Sequence, residues 1–371
     1  MIQDNSSPFH MVHYAFRIFG FMIYEDRPWS LLYSSYHWLI INTFGITSLL
    51  GVFLGSGTLE DTVGSLSSFA MYLMTIAKMV TYILKEKEIR DLLKRLENLR
   101  LEILEDKENR DYVIVAANKG RKILMVLSAY VLTGAIIGFI KQTIYDYMTD
   151  FTDRRLFLQI WVPWSTVEIW PYIIEGFLVT LMAESAVFAN LPFAIFHFTF
   201  TIQMSTYLRI LQKYFETKGP ADKSIYRQHK VMIQLIQDYN DIFSAQMFLE
   251  TLVAPIMPCG FGLIFIRDLR KNEFNQLDAF QKLSSCFLPS IIVCSCGQEI
   301  MTQAERLHEA SYMSKWYEEK PKVRKDLLML MTRTTKATTM NYRHYFRFDH
   351  QRLANVNNLF VQMNRKILNY L

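Results

Sequence analysis

Thirty consecutive residues, Ser30–Leu59, contain no Asp, Glu, Lys or Arg. A helix crosses a bilayer with roughly 20 predominantly apolar residues, so this run commits the chain to a membrane. Hydrocarbon offers no water to bond the backbone, which restricts a spanning segment to a helix or a strand of a closed barrel. Further runs repeat the pattern. Thr62–Leu84 carries one charge, Lys78. Ile123–Ile140 carries none and follows the basic pair Arg121-Lys122. Ser185–Leu208 is uncharged and extends back towards Pro171, taking in Glu175 and Glu184. Ile242–Ile266 is interrupted only by Glu250, and Leu283–Gly297 makes a short sixth run. A seventh segment, Leu353–Leu371, has the length to span. Its Asn355, Asn357, Asn358, Gln362, Asn364, Arg365, Lys366 and Asn369 make it too polar to face lipid, so hydropathy alone stops at six.

Composition agrees. The chain is 51% hydrophobic yet 20% charged, with mean hydropathy +0.10, which fits apolar spans joined by polar loops. A formal net charge of +5 gives nucleic-acid binding no support. Cys259, Cys286, Cys294 and Cys296 lie in or beside apolar runs without metal-type spacing and read as buried free thiols. No P-loop, HExxH, GxSxG or dinucleotide glycine fingerprint is present, so no enzyme, metal or cofactor is expected. The segment MIQDNSSPFHMVHYAFRIFG lacks a basic start followed by an apolar block, and the first span is expected to serve as the insertion signal.

Basic residues set the orientation. Eleven lie between Lys85 and Lys122, six between Arg209 and Lys230, and eight between Arg306 and Lys336, against none in the turn between the first two spans. The positive-inside bias places the amino terminus in the cytoplasm. A G-protein-coupled receptor has the opposite orientation, and the chain also lacks Asp-Arg-Tyr at the end of the third span and any Asn-Pro-x-x-Tyr. Transporters commonly show an inverted repeat or paired interrupted spans, and neither is seen.

Beyond the sixth run the sequence turns abruptly charged. Ile300, Ala304, Leu307 and Ser311 recur at helical spacing and predict one packed face, and Pro321 opens a basic helix whose Leu327, Leu328, Leu330 and Met331 predict another. Cys296-Gly297-Gln298, Ala310, Tyr312, Ser314, Trp316-Tyr317, Arg324-Lys325, Leu327-Leu328, Met331 and Arg333 through Lys336 stand in the order and spacing of the C-terminal signature of the insect odorant receptor family, which this chain resembles. The resemblance is strongest over the last quarter of the chain. Ala337 departs from the usual Pro, and Asn364, Arg365 and Lys366 replace the usual Ser and aromatics.

What the resemblance implies is an all-α, seven-transmembrane bundle with a cytoplasmic N-terminus. Its last helix is split into a cytoplasmic part and a pore-lining part. Residues 1–300 would hold six spans and the ligand pocket, 301–340 a cytoplasmic helical anchor, and 341–371 the final pore-lining helix. The implied function is a plasma-membrane receptor of olfactory sensory neurons, in which a volatile apolar ligand gates a nonselective cation channel shared with a coreceptor in a heterotetramer. The modest loop Gln212–Asp241 looks more like the odorant-specific subunit than the coreceptor. A gustatory-like or G-protein-coupled chemoreceptor is the alternative. The pocket, by the same resemblance, lies among spans two, three, four and six, which picks out Phe69, Tyr72, Met74, Tyr130, Phe177, Met182, Phe188 and Phe287. Rings and thioethers suit volatile ligands because they give dispersion contact with few directional demands; packing or lipid contact is the plainer role for each taken singly. A pore constriction would fall among Leu359, Met363, Ile367 and Tyr370. Trp161, Trp164 and Trp170 read as interfacial anchors, with a ligand lid as the second reading. Lys78, Glu175, Glu184 and Glu250 are costly at membrane depth, which leaves function or snorkelling for each.

Overall fold

The computed structural model describes residues 8–18, 28–55, 59–148, 160–164, 169–270, 276–335, 338–343 and 345–370. Helices dominate: α1 (Pro8–Ile18), α2 (Pro28–Leu54), α3 (Leu59–Leu104), α4 (Lys107–Met148), α5 (Ile169–Thr217), α6 (Lys223–Val253), α7 (Ile256–Arg270), α8 (Gln276–Met313), α9 (Pro321–Thr334) and α10 (His350–Tyr370). A two-residue antiparallel hairpin, β1 (Asn341–Tyr342) and β2 (Phe346–Arg347), pairs Asn341 with Arg347 and Tyr342 with Phe346, and is an addition to the all-α expectation. Seven segments make the bundle: α2, α3, α4, α5, the pair α6–α7, α8 and α10. Among the described residues, Leu32–Leu54, Asp61–Leu104, Ile173–Thr217 and Lys223–Gly262 are long and apolar enough to cross a membrane.

Three boundaries differ from the sequence reading, each for a local reason. The fifth run is not one helix. Pro255 has no amide hydrogen to continue the ladder, so α6 stops at Val253, Ala254 donates to Glu250 at 2.8 Å, and α7 restarts at Ile256. The sixth run does not end at Gly297; α8 continues unbroken to Met313, so a boundary at 300–301 falls inside a helix. Helix α3 continues past the second run, but Lys85, the first charge beyond it, leaves helical geometry at φ −121°, ψ 18°.

The bundle has two ends. The charged end carries the α3–α4 and α5–α6 connections; the turn end carries the α2–α3 connection and residues 160–164. Gly219 closes α5 at φ +75°, a conformation without cost only for glycine, and Asp222 caps α6 by accepting from the Ser224 amide at 2.8 Å. Asp106 ties the charged end together, accepting from Tyr214 at 2.9 Å, Asn109 at 3.0 Å and Lys218 at 3.2 Å. Arg95–Asp238 and Arg227–Glu102 add ion pairs between α3 and α6.

The larger core lies towards that end. Phe200 stacks on Tyr239 with centroids 4.1 Å apart, Phe196 and Phe243 close around them, and Phe9, Val12 and Phe16 press α1 against the same core. Each such buried side chain contributes about 1.5–3 kcal/mol. A second, smaller cluster unites Phe44, Ala70, Met74, Val179, Met182, Val253, Met257, Phe261 and Cys286 from α2, α3, α5, α6, α7 and α8.

Candidate functional site

Between the two clusters sits a buried polar knot. The Lys78 ammonium donates to Glu250 and to Asn190 Oδ1, both at 2.6 Å. Asn190 donates onward to Thr75 Oγ1 at 2.9 Å, and Gln246 donates to Glu250 at 3.3 Å. Lys78 and Glu250 are both almost fully buried, so neither snorkels; α3, α5 and α6 are joined by complementary charge in the interior. The sequence reading flagged both residues without pairing them. They lie in different runs, and only packing of α3 on α6 brings them together.

The second cluster is a packed apolar layer on the turn side of this knot. Met74 and Met182, both named from the sequence, are buried in it. Tyr72 packs at its edge, its hydroxyl donating to Asn42 at 3.2 Å, and Phe69 lies beside it with ring centroids 5.7 Å apart. Tyr130 bridges α4 to α8 through a 2.7 Å hydrogen bond with Ser284 while remaining 38% exposed. Phe177 is 60% exposed and does not join the set; two residues on, Val179 occupies the inward face instead. The side chain of Phe188 lies outside the described residues. Phe287 follows Cys286 of the cluster and meets Phe360 of α10 edge to face, with centroids 5.1 Å apart. Sequence reasoning missed Phe44, Val179, Met257 and Phe261. Met257 and Phe261 sit one turn apart, a signal the continuous apolar run concealed.

Residues 160–164 close over α2, where the Trp161 amide donates to the Thr47 carbonyl at 3.0 Å. Trp164 at the end of this segment and Trp170 at the start of α5 are exposed. Cys259, Cys286, Cys294 and Cys296 are buried free thiols, and the described residues hold no group of His, Cys, Asp and Glu able to bind a metal.

Helix α10 docks on α7 and α8 through Val356 and Phe360. Asn355, Asn357, Asn358, Gln362 and Arg365 are exposed, as is Leu359. The side chains of Met363, Ile367 and Tyr370 lie outside the described residues, as does that of Lys366. Gly297 lets the chain enter α10: any Cβ there would collide with the Phe348 carbonyl oxygen. In the anchor, Ile300, Ala304, Leu307 and Ser311 are buried as their spacing predicts. Helix α9 buries Leu327, Leu330 and Thr334, while Leu328 departs from expectation and is 63% exposed.

Seven helical spans, a buried ion pair between two of them and a polar last helix make this a multi-pass membrane protein. The 7tm Odorant receptor family model matches residues 58–360, and the chain belongs to that family. It is similar to Odorant receptor 85c of Drosophila melanogaster, with 20% identity over 314 residues, covering 81% of this chain and 80% of the relative. Its fold is similar to that of the insect olfactory receptor OR5 from Machilis hrabei. The structure in complex with eugenol aligns with a TM-score of 0.82 and 14% identity, covering 98% of this chain and 97% of the other. A second OR5 structure aligns at 0.79 and 15% identity, covering 98% of each chain. Family membership makes the protein a receptor and not an enzyme.

Proposed function

We propose that this chain is the odorant-specific subunit of a ligand-gated, nonselective cation channel, assembled with a coreceptor as a heterotetramer in the plasma membrane of olfactory sensory neurons. The amino terminus and the charged end lie in the cytoplasm, as the basic loops indicate. Residues 1–300 carry the pocket, 301–340 the anchor and 341–371 the pore helix. Volatile ligands bind the second cluster, with Phe69, Tyr72, Met74, Tyr130, Met182 and Phe287 in or around it. Phe188 keeps the role its position in α5 gives it, and Leu359, Met363, Ile367 and Tyr370 are the residues proposed to face the conduit. The eugenol complex of the structural relative supports a small-molecule site in this fold.

The observation that carries this reading is α10. Val356 and Phe360 face α7 and α8, while four amide side chains stand open together with Leu359 and Val361. Such a helix at membrane depth is stable where copies surround water. Ligand binding at the second cluster acts through Phe287 and Phe360, and a ligand shifts the channel only by its preference for the open form. The exposed Tyr312, Trp316, Tyr317 and Leu328 of the anchor give the cytoplasmic contact between subunits. The test records currents from cells expressing this chain with and without a coreceptor, across a broad odorant panel. Currents that require both chains are expected; silence in every condition, or ion flow unchanged after truncation beyond Asp349, sinks the reading.

A further inference from the structure

The residues of a helix at membrane depth divide around its circumference according to what each side meets. In α10 the division is sharp. Val356 is buried and Phe360 meets Phe287, so the side carrying these two lies against α7 and α8. Asn355, Asn358, Gln362 and Arg365 recur at spacings of three, four and three, which puts them on one stripe, and all four are exposed. At 3.6 residues per turn that stripe points almost directly away from Val356 and Phe360.

Two exposed apolar side chains flank the stripe, Leu359 at 46% on one side and Val361 at 45% on the other. A polar stripe between apolar shoulders suits one stave of a ring. The shoulders meet the last helices of neighbouring subunits, and the stripe faces the water they enclose.

Helix α10 starts from the charged end, where the His350 amide donates to Gln298 of α8 at 3.3 Å. Its 21 residues extend about 31 Å, the thickness of the hydrocarbon core. Arg365 is the sixteenth of them, about 15 Å beyond Asn355 and in the half nearer the turn end. No Asp or Glu stands anywhere in α10 to neutralise it. A guanidinium at this depth is tolerated where it faces water and is costly where it faces lipid.

The charge acts on whatever passes it. A unit charge about 7 Å away through water lowers the local concentration of a monovalent cation about threefold and that of a divalent cation about sevenfold. The amides of the same stripe carry no net charge and make no such distinction. We infer that Arg365 is a fixed positive charge in the outer part of the conduit, by which this subunit disfavours divalent against monovalent cations. This inference rests on the channel reading above.

The experiment measures the reversal potential of odorant-evoked current, in sodium chloride and then in calcium chloride, from cells expressing this chain with a coreceptor. Reversal potential does not depend on how many channels reach the surface, so a poorly expressed variant still reports. Arg365→Gln is expected to raise the calcium-to-sodium permeability ratio about threefold and Arg365→Glu about sevenfold, while Arg365→Lys stays near wild type. Arg365→Cys should behave as Arg365→Gln until a trimethylammonium-bearing methanethiosulfonate reacts with it and restores the wild-type ratio. The four native cysteines are buried, and wild type treated with the reagent is the control. Asn358→Cys and Gln362→Cys, treated in the same way, test the rest of the stripe by loss of current.

An unchanged ratio in both Arg365→Gln and Arg365→Glu overturns the inference and places the guanidinium at the lipid interface. If the reagent still reduces current at Asn358→Cys and Gln362→Cys, the channel reading survives that failure. A shift seen in Lys366→Gln and not in Arg365→Gln overturns it in favour of the neighbouring charge. If no odorant of the panel evokes current from wild type, the channel reading fails and this inference fails with it.

Discussion

Lys78 on α3 and Glu250 on α6 lie 2.6 Å apart with both side chains at most 5% exposed, a buried ion pair that joins two spans of the bundle. Removing one partner strands the other charge away from water. Lys78→Met or Glu250→Leu alone is expected to cost about 3–5 kcal/mol, because the surviving charge is buried and unpaired. The double substitution should cost much less than the sum. Unfolding of the purified proteins and surface labelling check this. Additive losses would mean the two residues act independently.

Phe287 and Phe360 join α8 to the last helix by an edge-to-face contact, worth about 0.5–1.5 kcal/mol beyond burial. Phe287→Ala and Phe360→Ala should each lower the maximal ligand-evoked current while surface abundance stays close to wild type, and Phe360→Ala should leave the ranking of ligands unchanged. The double variant should be no worse than either single one. Full maximal current in either variant would show that the ring pair does not transmit binding to α10.

Most of the architecture was legible because hydrophobic runs and basic loops are one-dimensional properties. The runs locate α2, α3 and α5 well, and the four-three-four spacing from Ile300 identifies the buried face of the anchor. The break at Ala254-Pro255 was not read because apolar residues continue on both sides of it. Helix α1 was missed although Phe9, Val12 and Phe16 repeat at helical spacing, since one amphipathic turn sequence near a terminus has no hydropathy signal of a span. The site was less legible. Which way Phe177 and Val179 point depends on the rotation of α5 against its neighbours, and the pairing of Lys78 with Glu250 spans 172 positions that no local pattern links.

At the charged end, Asp106 is held below its ordinary value of 3.8. Burial alone raises it, but hydrogen bonds from Tyr214, Lys218 and the Glu108 amide outweigh that. A depressed carboxyl pKa contributes stability that is present above the unfolded value and is lost as pH falls through the folded one. Stability of the wild type should therefore drop more steeply below about pH 4 than that of Asp106→Asn, and the two curves should run parallel above it. Unfolding temperature measured from pH 3 to pH 7, expressed as a difference between the two proteins, checks the sign. A difference that grows with rising pH above 5 would assign the effect to another group.

Gly297 has no room for a side chain because the Phe348 carbonyl oxygen occupies the space, and Phe348 leads directly into α10. Gly297→Ala must push that strand away from α8, with a cost of about 1–3 kcal/mol typical of overpacking. The displacement falls on the entry to α10, where Phe348 also bonds Met340 through its amide at 3.1 Å, so the hairpin and the last helix should shift together. The larger core at the charged end lies mostly on other elements and should survive. The expected result is a protein that reaches the membrane in reduced amount and carries little ligand-evoked current per molecule at the surface, while ligand-induced stabilisation of the purified protein persists. Current per surface molecule equal to wild type would show that α10 tolerates the displacement, and loss of ligand stabilisation as well would show that Gly297 supports the second cluster itself.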